Sequence, residues 1–245
     1  MRLLPAVVTS TIGRDCLMEA IESVARQTRP ARHYIFIDGP EVEERARNVI
    51  EQSNLAENTT IIPLPNNTGK NMYTCSRINA MASYMITEDV ILFLDDDNWY
   101  EEDHVETVVG LMEKHNLDWT CSLRNIVEDD GSFACADECE SLGLLKNHAG
   151  QYHVDTSCLA MRTDIAQKMA PFWQHQKWMD RVVLRAIVEA KFKGGCTGKV
   201  TMNYRLSKDG LGNMGGNNFK ALSNRMIELN PTRPWANEVT YKFGK

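Results

Sequence analysis

The chain contains no apolar run approaching the ~20 residues that a membrane-spanning helix needs, no Cys-x2-Cys pair and no cluster of lysine and arginine. Each absence excludes a class of protein. The short apolar run at 3–8 stops at Thr9-Ser10-Thr11 without a small-residue cleavage site, so it reads as a first strand rather than a signal sequence. Seven dispersed cysteines (Cys16, Cys75, Cys121, Cys135, Cys139, Cys158 and Cys196) argue for reduced thiols in a cytoplasmic protein and against a disulfide framework. Cys135 and Cys139 lack companions at zinc-ligand spacing. A net charge of −6 with scattered basic residues excludes a general affinity for nucleic acid, whose phosphates require clustered cations. A phosphate-binding glycine loop is missing too: near Gly69-Lys70, Leu64 stands where the first glycine belongs and Asn71 where Ser or Thr belongs. A nucleotide-sized ligand held through a metal stays compatible with all of this.

What is present is a globular composition of 245 residues, 43% hydrophobic and 24% charged, enough for one large domain with or without an extension. Apolar strands near 4–9, 33–37, 59–62 and 90–94 alternate with helical periodicity near 14–27, 42–52 and 71–86. That order predicts an α/β fold, a Rossmann-like mixed and mostly parallel sheet flanked by helices. Ligands of such sheets gather outside the carboxyl ends of the strands. Thr9, Ser10, Thr11, Asp38 and Asp95 to Asp97 all fall there. The second half is less regular: a helix near 101–115, a strand at 118–123, a hairpin turn at 128–132, a loop over 135–150, a strand at 152–161, a short helix at 163–169, a helix at 178–190 and a strand at 196–206. Residues 207–216 carry four glycines, read either as a flap over a ligand or as a solvated connector.

The densest signal is Val90-Ile91-Leu92-Phe93-Leu94 running into Asp95-Asp96-Asp97-Asn98-Trp99, a buried strand that delivers carboxylates to one point. Mg2+ and Mn2+ take oxygen ligands and are commonly shared between one or two carboxylates and a substrate's phosphates, so the cluster points to a nucleotide diphosphate bridged through metal. The competing reading makes Asp97 or Asn98 the cap of the acidic helix that follows.

In order along the first 205 residues stand Thr9-Ser10-Thr11-Ile12-Gly13-Arg14, Ala20-Ile21-Glu22-Ser23-Val24-Ala25-Arg26-Gln27-Thr28, Asp38, Asn67-x-Gly69, Ser76-Arg77-Ile78-Asn79-Ala80 and Leu94-Asp95-Asp96-Asp97. In this the chain resembles the inverting glycosyltransferases of family 2, which have the A-type nucleotide-sugar-binding fold. The resemblance implies a domain over 1–206, with a nucleotide half at 1–100 and an acceptor half at 101–206, followed by a C-terminal loop, helix and tail at 207–245. It implies donor contacts from Thr9, Ser10, Thr11, Arg14, Asp38, Asn67, Arg77, Asp95 and Asp96, and Mn2+ or Mg2+ on Asp95 and Asp97. Lys177-Trp178-Met179-Asp180-Arg181 resembles the family's catalytic element, making Asp180 the base, although Met179 stands where a glutamate is usual. Asn203-Tyr204-Arg205 resembles its Tyr-Arg strand end.

Plainer readings stand beside these: Thr9 and Ser10 as turn or cap residues, Asp38 as a turn residue before Gly39-Pro40, Arg77 as a helix-surface ion pair, and Asp180 as a carboxylate favoured by a helix dipole. Alternation on the strand at 152–161 puts His153, Asp155 and Ser157 on one face, suited to acceptor hydroxyls or to a satisfied polar patch. Trp173 and Trp178 are read as a sugar platform or as core. The expected reaction moves a sugar from a nucleotide diphosphate sugar, of the UDP type, to a hydroxyl of a glycan, lipid or protein, as in surface polysaccharide synthesis. The alternatives are a sugar-phosphate nucleotidyltransferase and a non-catalytic nucleotide-sugar-binding protein.

Overall fold

The computed structural model describes residues 2–206 and 214–241. Ten strands form one mixed sheet among these residues: β1 (Pro5–Thr11), β2 (Arg32–Ile37), β3 (Thr59–Pro63), β4 (Val90–Asp95), β5 (Trp99–Tyr100), β6 (Trp119–Val127), β7 (Phe133–Ala136), β8 (Leu159–Arg162), β9 (Gly194–Arg205) and β10 (Val239–Tyr241). Their order is β10-β9-β6-β8-β4-β1-β2-β3, with β5 on β9 and β7 on β6. The parallel ladders β1/β2, β1/β4, β2/β3 and β6/β9 carry most of the paired residues, and β8 runs antiparallel between β4 and β6.

The chain lays down β1, then β2 and β3 to one side, and returns with β4 to the other side of β1. The strand order therefore reverses between β1 and β4. A crevice at the carboxyl ends of two such strands is where open α/β sheets bind ligands. It is bounded here by Thr11 and by Asp95 to Asp97.

Seven helices pack on the sheet: α1 (Leu17–Ala25), α2 (Glu43–Gln52), α3 (Ser76–Met85), α4 (His104–His115), α5 (Thr163–Met169), α6 (Met179–Glu189) and α7 (Gly216–Leu229). The alternation of β2 shows why both faces are covered. Ile35 and Ile37 join Leu17, Ile21, Ala46 and Ile50 under α1 and α2, while Tyr34 and Phe36 enter the larger core on the other face. β4 is apolar without alternation because both of its faces are covered: Val90 to Leu94 are all buried, and Phe93 meets Trp173 with ring centroids 5.2 Å apart. The C-terminal segment packs on this body through buried Phe219, Met226 and Trp235 and through the β10/β9 pairing.

Two element expectations are corrected. The helix expected over 71–86 begins only at Ser76, because Asn71, Met72 and Thr74 adopt left-handed backbone conformations that no helix continues. The strand expected over 152–161 is reduced to Leu159–Arg162. Before it, His153 forms a single bridge to Gly143, and Asp155 caps a 3-10 turn at Thr156–Cys158 by accepting from Ser157 N–H at 2.9 Å. Of the glycine-bearing segment 207–216, residues 207–213 lie outside the described residues.

Candidate active site

The crevice between β1 and β4 is held together by Asp96. Its carboxylate accepts from Thr11 Oγ1 at 2.7 Å, from Ile12 N–H at 3.3 Å and from Arg14 at 2.9 Å, so the middle aspartate is buried scaffolding. Arg14 also donates to Asp97 at 2.7 Å. Asp95 and Asp97 stand on either side, both part-exposed. Ser157 Oγ ties the cluster to the second half, accepting from Asp95 N–H at 3.2 Å and from Asn98 Nδ2 at 3.0 Å. Arg205 secures the far side, donating from its backbone to Asn98 Oδ1 at 3.0 Å and from Nε to the Asp97 carbonyl at 3.2 Å. It also pairs with Glu19.

This packing is electrostatically unfavourable for the aspartates. Burial, then the charges of Asp97, Asp155 and Asp96, push Asp95 up to about 8. Burial and Asp96 push Asp97 up to about 6, against the pull of Arg14. Two oxygen-rich side chains forced together against their mutual repulsion are a donor set that Mn2+ or Mg2+ fits. Among the described residues no three His, Cys, Asp or Glu side chains form a ready-made cage, so phosphate oxygens and water would complete the shell.

Asp38, at the end of β2, accepts from Thr68 N–H at 2.6 Å, Thr68 Oγ1 at 2.8 Å and Gly69 N–H at 2.9 Å. Gly69 is required here, since a Cβ would lie 2.8 Å from the Thr74 carbonyl and 2.9 Å from the Asp38 carboxylate. Arg77 donates to the Thr68 carbonyl at 3.1 Å and stacks on Tyr73 at 3.5 Å. Asn67 Oδ1 is buried with no partner among the described residues. Ser10 is half-buried beside Asp95 in the β1/β4 register, whereas Thr9 is fully buried with its hydroxyl 3.0 Å from His33 Nε2.

The residues expected on one strand face point instead to separate partners. Ser157 serves Asp95 and Asn98, Asp155 accepts from Arg124 at 2.5 Å, and His153 Nε2 lies 2.5 Å from Asp180 Oδ2. Asp180 opens α6, where its Oδ1 accepts from Arg181 N–H at 2.8 Å. Burial alone would lift Asp180, but the His153 hydrogen bond and charge hold it below its ordinary range. Asp155 lies within electrostatic reach of Asp95 and Asp97 and also of His153 and Asp180. Of the two tryptophans, Trp173 is core and Trp178 is 58% exposed, immediately before α6.

Residues 6–168 match the family described as Glycosyl transferase family 2. The chain belongs to that family. It is a family 2 glycosyltransferase with the A-type fold, and the nucleotidyltransferase and non-catalytic alternatives are set aside. A Haemophilus influenzae relative, described as an uncharacterized protein, is 29% identical over 103 residues, covering 35% of this chain and 70% of its own. Crystal structures of S. aureus TarS share the fold at 14% identity. The TarS 1-349 complex with UDP superposes with a TM-score of 0.57 over 94% of this chain and 73% of that one. The TarS 1-349 complex with UDP-GlcNAc gives 0.59 over 94% and 66%. A longer TarS chain gives 0.58, and this glycosyltransferase spans only 40% of it. No helix among the described residues is long and apolar enough to cross a membrane.

The family match ends before Asp180. Within the match, on β6, the sequence reading misses Arg124, around which three carboxylates gather. This side chain is 2% exposed, and it donates to Asp137 at 2.8 Å, Asp155 at 2.5 Å and Glu140 at 2.8 Å while stacking on Tyr204 at 4.3 Å. Glu140 in turn pairs with Arg181 at 3.4 Å. The available signal was an arginine as the one charged residue of a strand whose flanking positions are mostly uncharged and buried, a place where a charge persists only if paired.

Proposed function

We propose that this glycosyltransferase moves a sugar from a UDP-sugar to an acceptor hydroxyl with inversion at the anomeric carbon. What carries the reading is that Asp155 is in electrostatic reach of both the repelling pair Asp95 and Asp97 and the ionised, part-exposed Asp180. Asp38 and Arg77, both hydrogen-bonded to the Thr68-Gly69 turn, and Asn67 beside it, whose buried carbonyl oxygen has no partner among the described residues, would serve the nucleoside. Asp95 and Asp97 would hold a divalent cation, which supplies charge neutralisation for a diphosphate leaving group. Asp180 accepts the proton of the attacking hydroxyl; held below its ordinary range, it is ionised at neutral pH and ready to do so. The TarS complexes with UDP and UDP-GlcNAc support the choice of donor class, and the seven free cysteines support a reducing, cytoplasmic setting.

Thermal stability measured with UDP, UDP-sugars and other nucleotides, each with Mn2+, Mg2+ or chelator, tests the reading, because a ligand that binds only the native state raises the melting temperature. The expected result is stabilisation by UDP or one UDP-sugar that chelator abolishes. Indifference to every nucleotide would refute it.

A further inference from the structure

His153 and Asp180 form a pair whose geometry exceeds what a lone base needs. A single backbone bridge to Gly143 fixes the position of His153, and its side chain is 5% exposed where that of Asp180 is 20% exposed. The imidazole is thus the more deeply buried partner and the carboxylate the more accessible one. Nε2 is 2.5 Å from Asp180 Oδ2, a separation that requires a proton between the two atoms. Nδ1 is buried and has no partner among the described residues. With Oδ1 engaged by Arg181 N–H and Oδ2 by the imidazole, the Asp180 rotamer is locked, leaving its remaining lone pairs for an incoming hydroxyl.

Such a hydrogen bond also governs base strength. When His153 is an imidazolium, the ion pair stabilises the carboxylate and weakens its affinity for the acceptor's proton. When His153 is neutral with its proton on Nε2, the hydrogen bond persists and the opposing charge is gone. Arg124, Glu140, Asp155 and Arg181 are the other charged groups that bear on the pair. Arg124 disfavours the imidazolium and Glu140 favours it, and Arg124 is itself paired with Glu140 and Asp155.

We propose that His153 is the positioning residue of the catalytic base, holding Asp180 through Nε2 and switching its strength by the charge of the imidazole. The proposal rests on the glycosyl-transfer reading of Asp180. In the step itself the acceptor O–H bond breaks and its proton passes to Asp180. The oxygen's electron pair forms the bond to the anomeric carbon, and the bond from that carbon to the diphosphate oxygen breaks, its electrons leaving with UDP. His153 stays neutral throughout.

Burial opposes a charge on His153, but the Asp180 contact outweighs it and holds the imidazole above its ordinary value near 6.5. The wild-type kcat should therefore rise with pH through a single limb above that value. Three variants separate the parts. His153→Leu removes both the contact and the charge switch and should lower kcat by ~10- to 100-fold, a part of the ~100- to 10,000-fold that general-base catalysis supplies, with donor-induced stabilisation unchanged. His153→Gln keeps an N–H donor near the Nε2 position and should recover most of that loss while flattening the limb. Asp180→Asn should lose transfer at every pH. In an NMR titration without substrate, it should also move the His153 pKa downward relative to the wild type, because the contact that raises it is gone.

A limb that survives in His153→Gln, or a His153 pKa unmoved by Asp180→Asn, overturns the proposal. If the wild type binds no nucleotide-sugar, the functional reading fails and takes the base role with it. The substrate-free titration shows which of these failures has occurred.

Discussion

Replacing Arg124 with methionine should be the most damaging single change in the acceptor half, and its cost follows from what surrounds it. The guanidinium is 2% exposed, and its partners Asp137, Asp155 and Glu140 have side chains 0%, 11% and 19% exposed. Methionine fills much of the volume but leaves Asp137 and Asp155 without their guanidinium and Glu140 with only its longer contact to Arg181. Removing one partner of a buried ion pair costs about 3–5 kcal/mol, because the remaining charge keeps its desolvation penalty. Asp137 retains N–H donors from Cys139, Glu140 and Ser141, which holds the expected loss within that range. At about 2–4 °C per kcal/mol for a chain of this size, the melting temperature should fall by about 10 °C. The loss should also depend on pH. Burial opposes the Asp137 charge, but Arg124 and the backbone donors hold its pKa below the ordinary 3.8. In the wild type this stabilisation is present above that value and is lost as pH falls through the lower, folded one. Arg124→Met forfeits the Arg124 share, so its deficit should be full at pH 7 and shrink as pH falls below about 4 and the carboxylates protonate. Urea unfolding of both proteins at about pH 7, 4.5 and 3 measures this. A deficit under 1 kcal/mol at pH 7, or one that grows as pH falls, would refute the argument.

Two further outcomes can be checked alongside. Asp97→Asn should lose the metal-dependent stabilisation by UDP, yet melt higher than the wild type in chelator. A carboxyl pushed up to about 6 destabilises the fold at pH 7, and the substitution also relieves Asp95; a variant that melts lower and still responds to metal and UDP would contradict this. Trp178→Ala should change stability by less than about 0.5 kcal/mol, since the ring is mostly exposed. It should raise acceptor KM by about tenfold, the scale of one aromatic contact, with donor affinity unaltered; a weakened donor and an unchanged acceptor KM would place the tryptophan elsewhere.

The nucleotide half was legible because local signals and topology agree there. Apolar strands with polar ends recur at regular spacing, and a parallel sheet leaves few ways to arrange them, so Thr11, Asp38 and Asp95 to Asp97 were bound to meet at one edge. Division of labour among the three aspartates was not legible, since identical neighbours differ only in what faces them: Asp96 finds Thr11 and Arg14, while Asp95 and Asp97 find each other. The acceptor half defeated periodicity for a different reason. The stretch at 152–158 alternates like a strand, but its polar residues are spent on long-range partners, His153 on α6 and Asp155 on β6. Those contacts pulled it into a turn. Arg124 was missed because an ion cluster spread across β6, the loop at 137–140 and residue 155 has no spacing to read.

Arg124 also explains how two distant parts of the chain keep a common geometry. Through Asp155 it reaches the turn whose Ser157 supports Asp95 and Asn98, and through Glu140 it reaches Arg181, whose backbone N–H holds Asp180. Asp95 and Asp180, to which we assign the metal and the base, are thus braced on one buried cation rather than on separate loops. An inverting displacement needs the hydroxyl, the anomeric carbon and the leaving oxygen in line, and misplacement by about 1 Å can cost ~100-fold in rate. Shared bracing of that kind selects for a cluster whose contribution to stability is modest and whose contribution to alignment is large, since an apolar core of the same volume would fold at least as well. A buried charge retained under those terms is better understood as a geometric constraint on the reaction than as a source of stability.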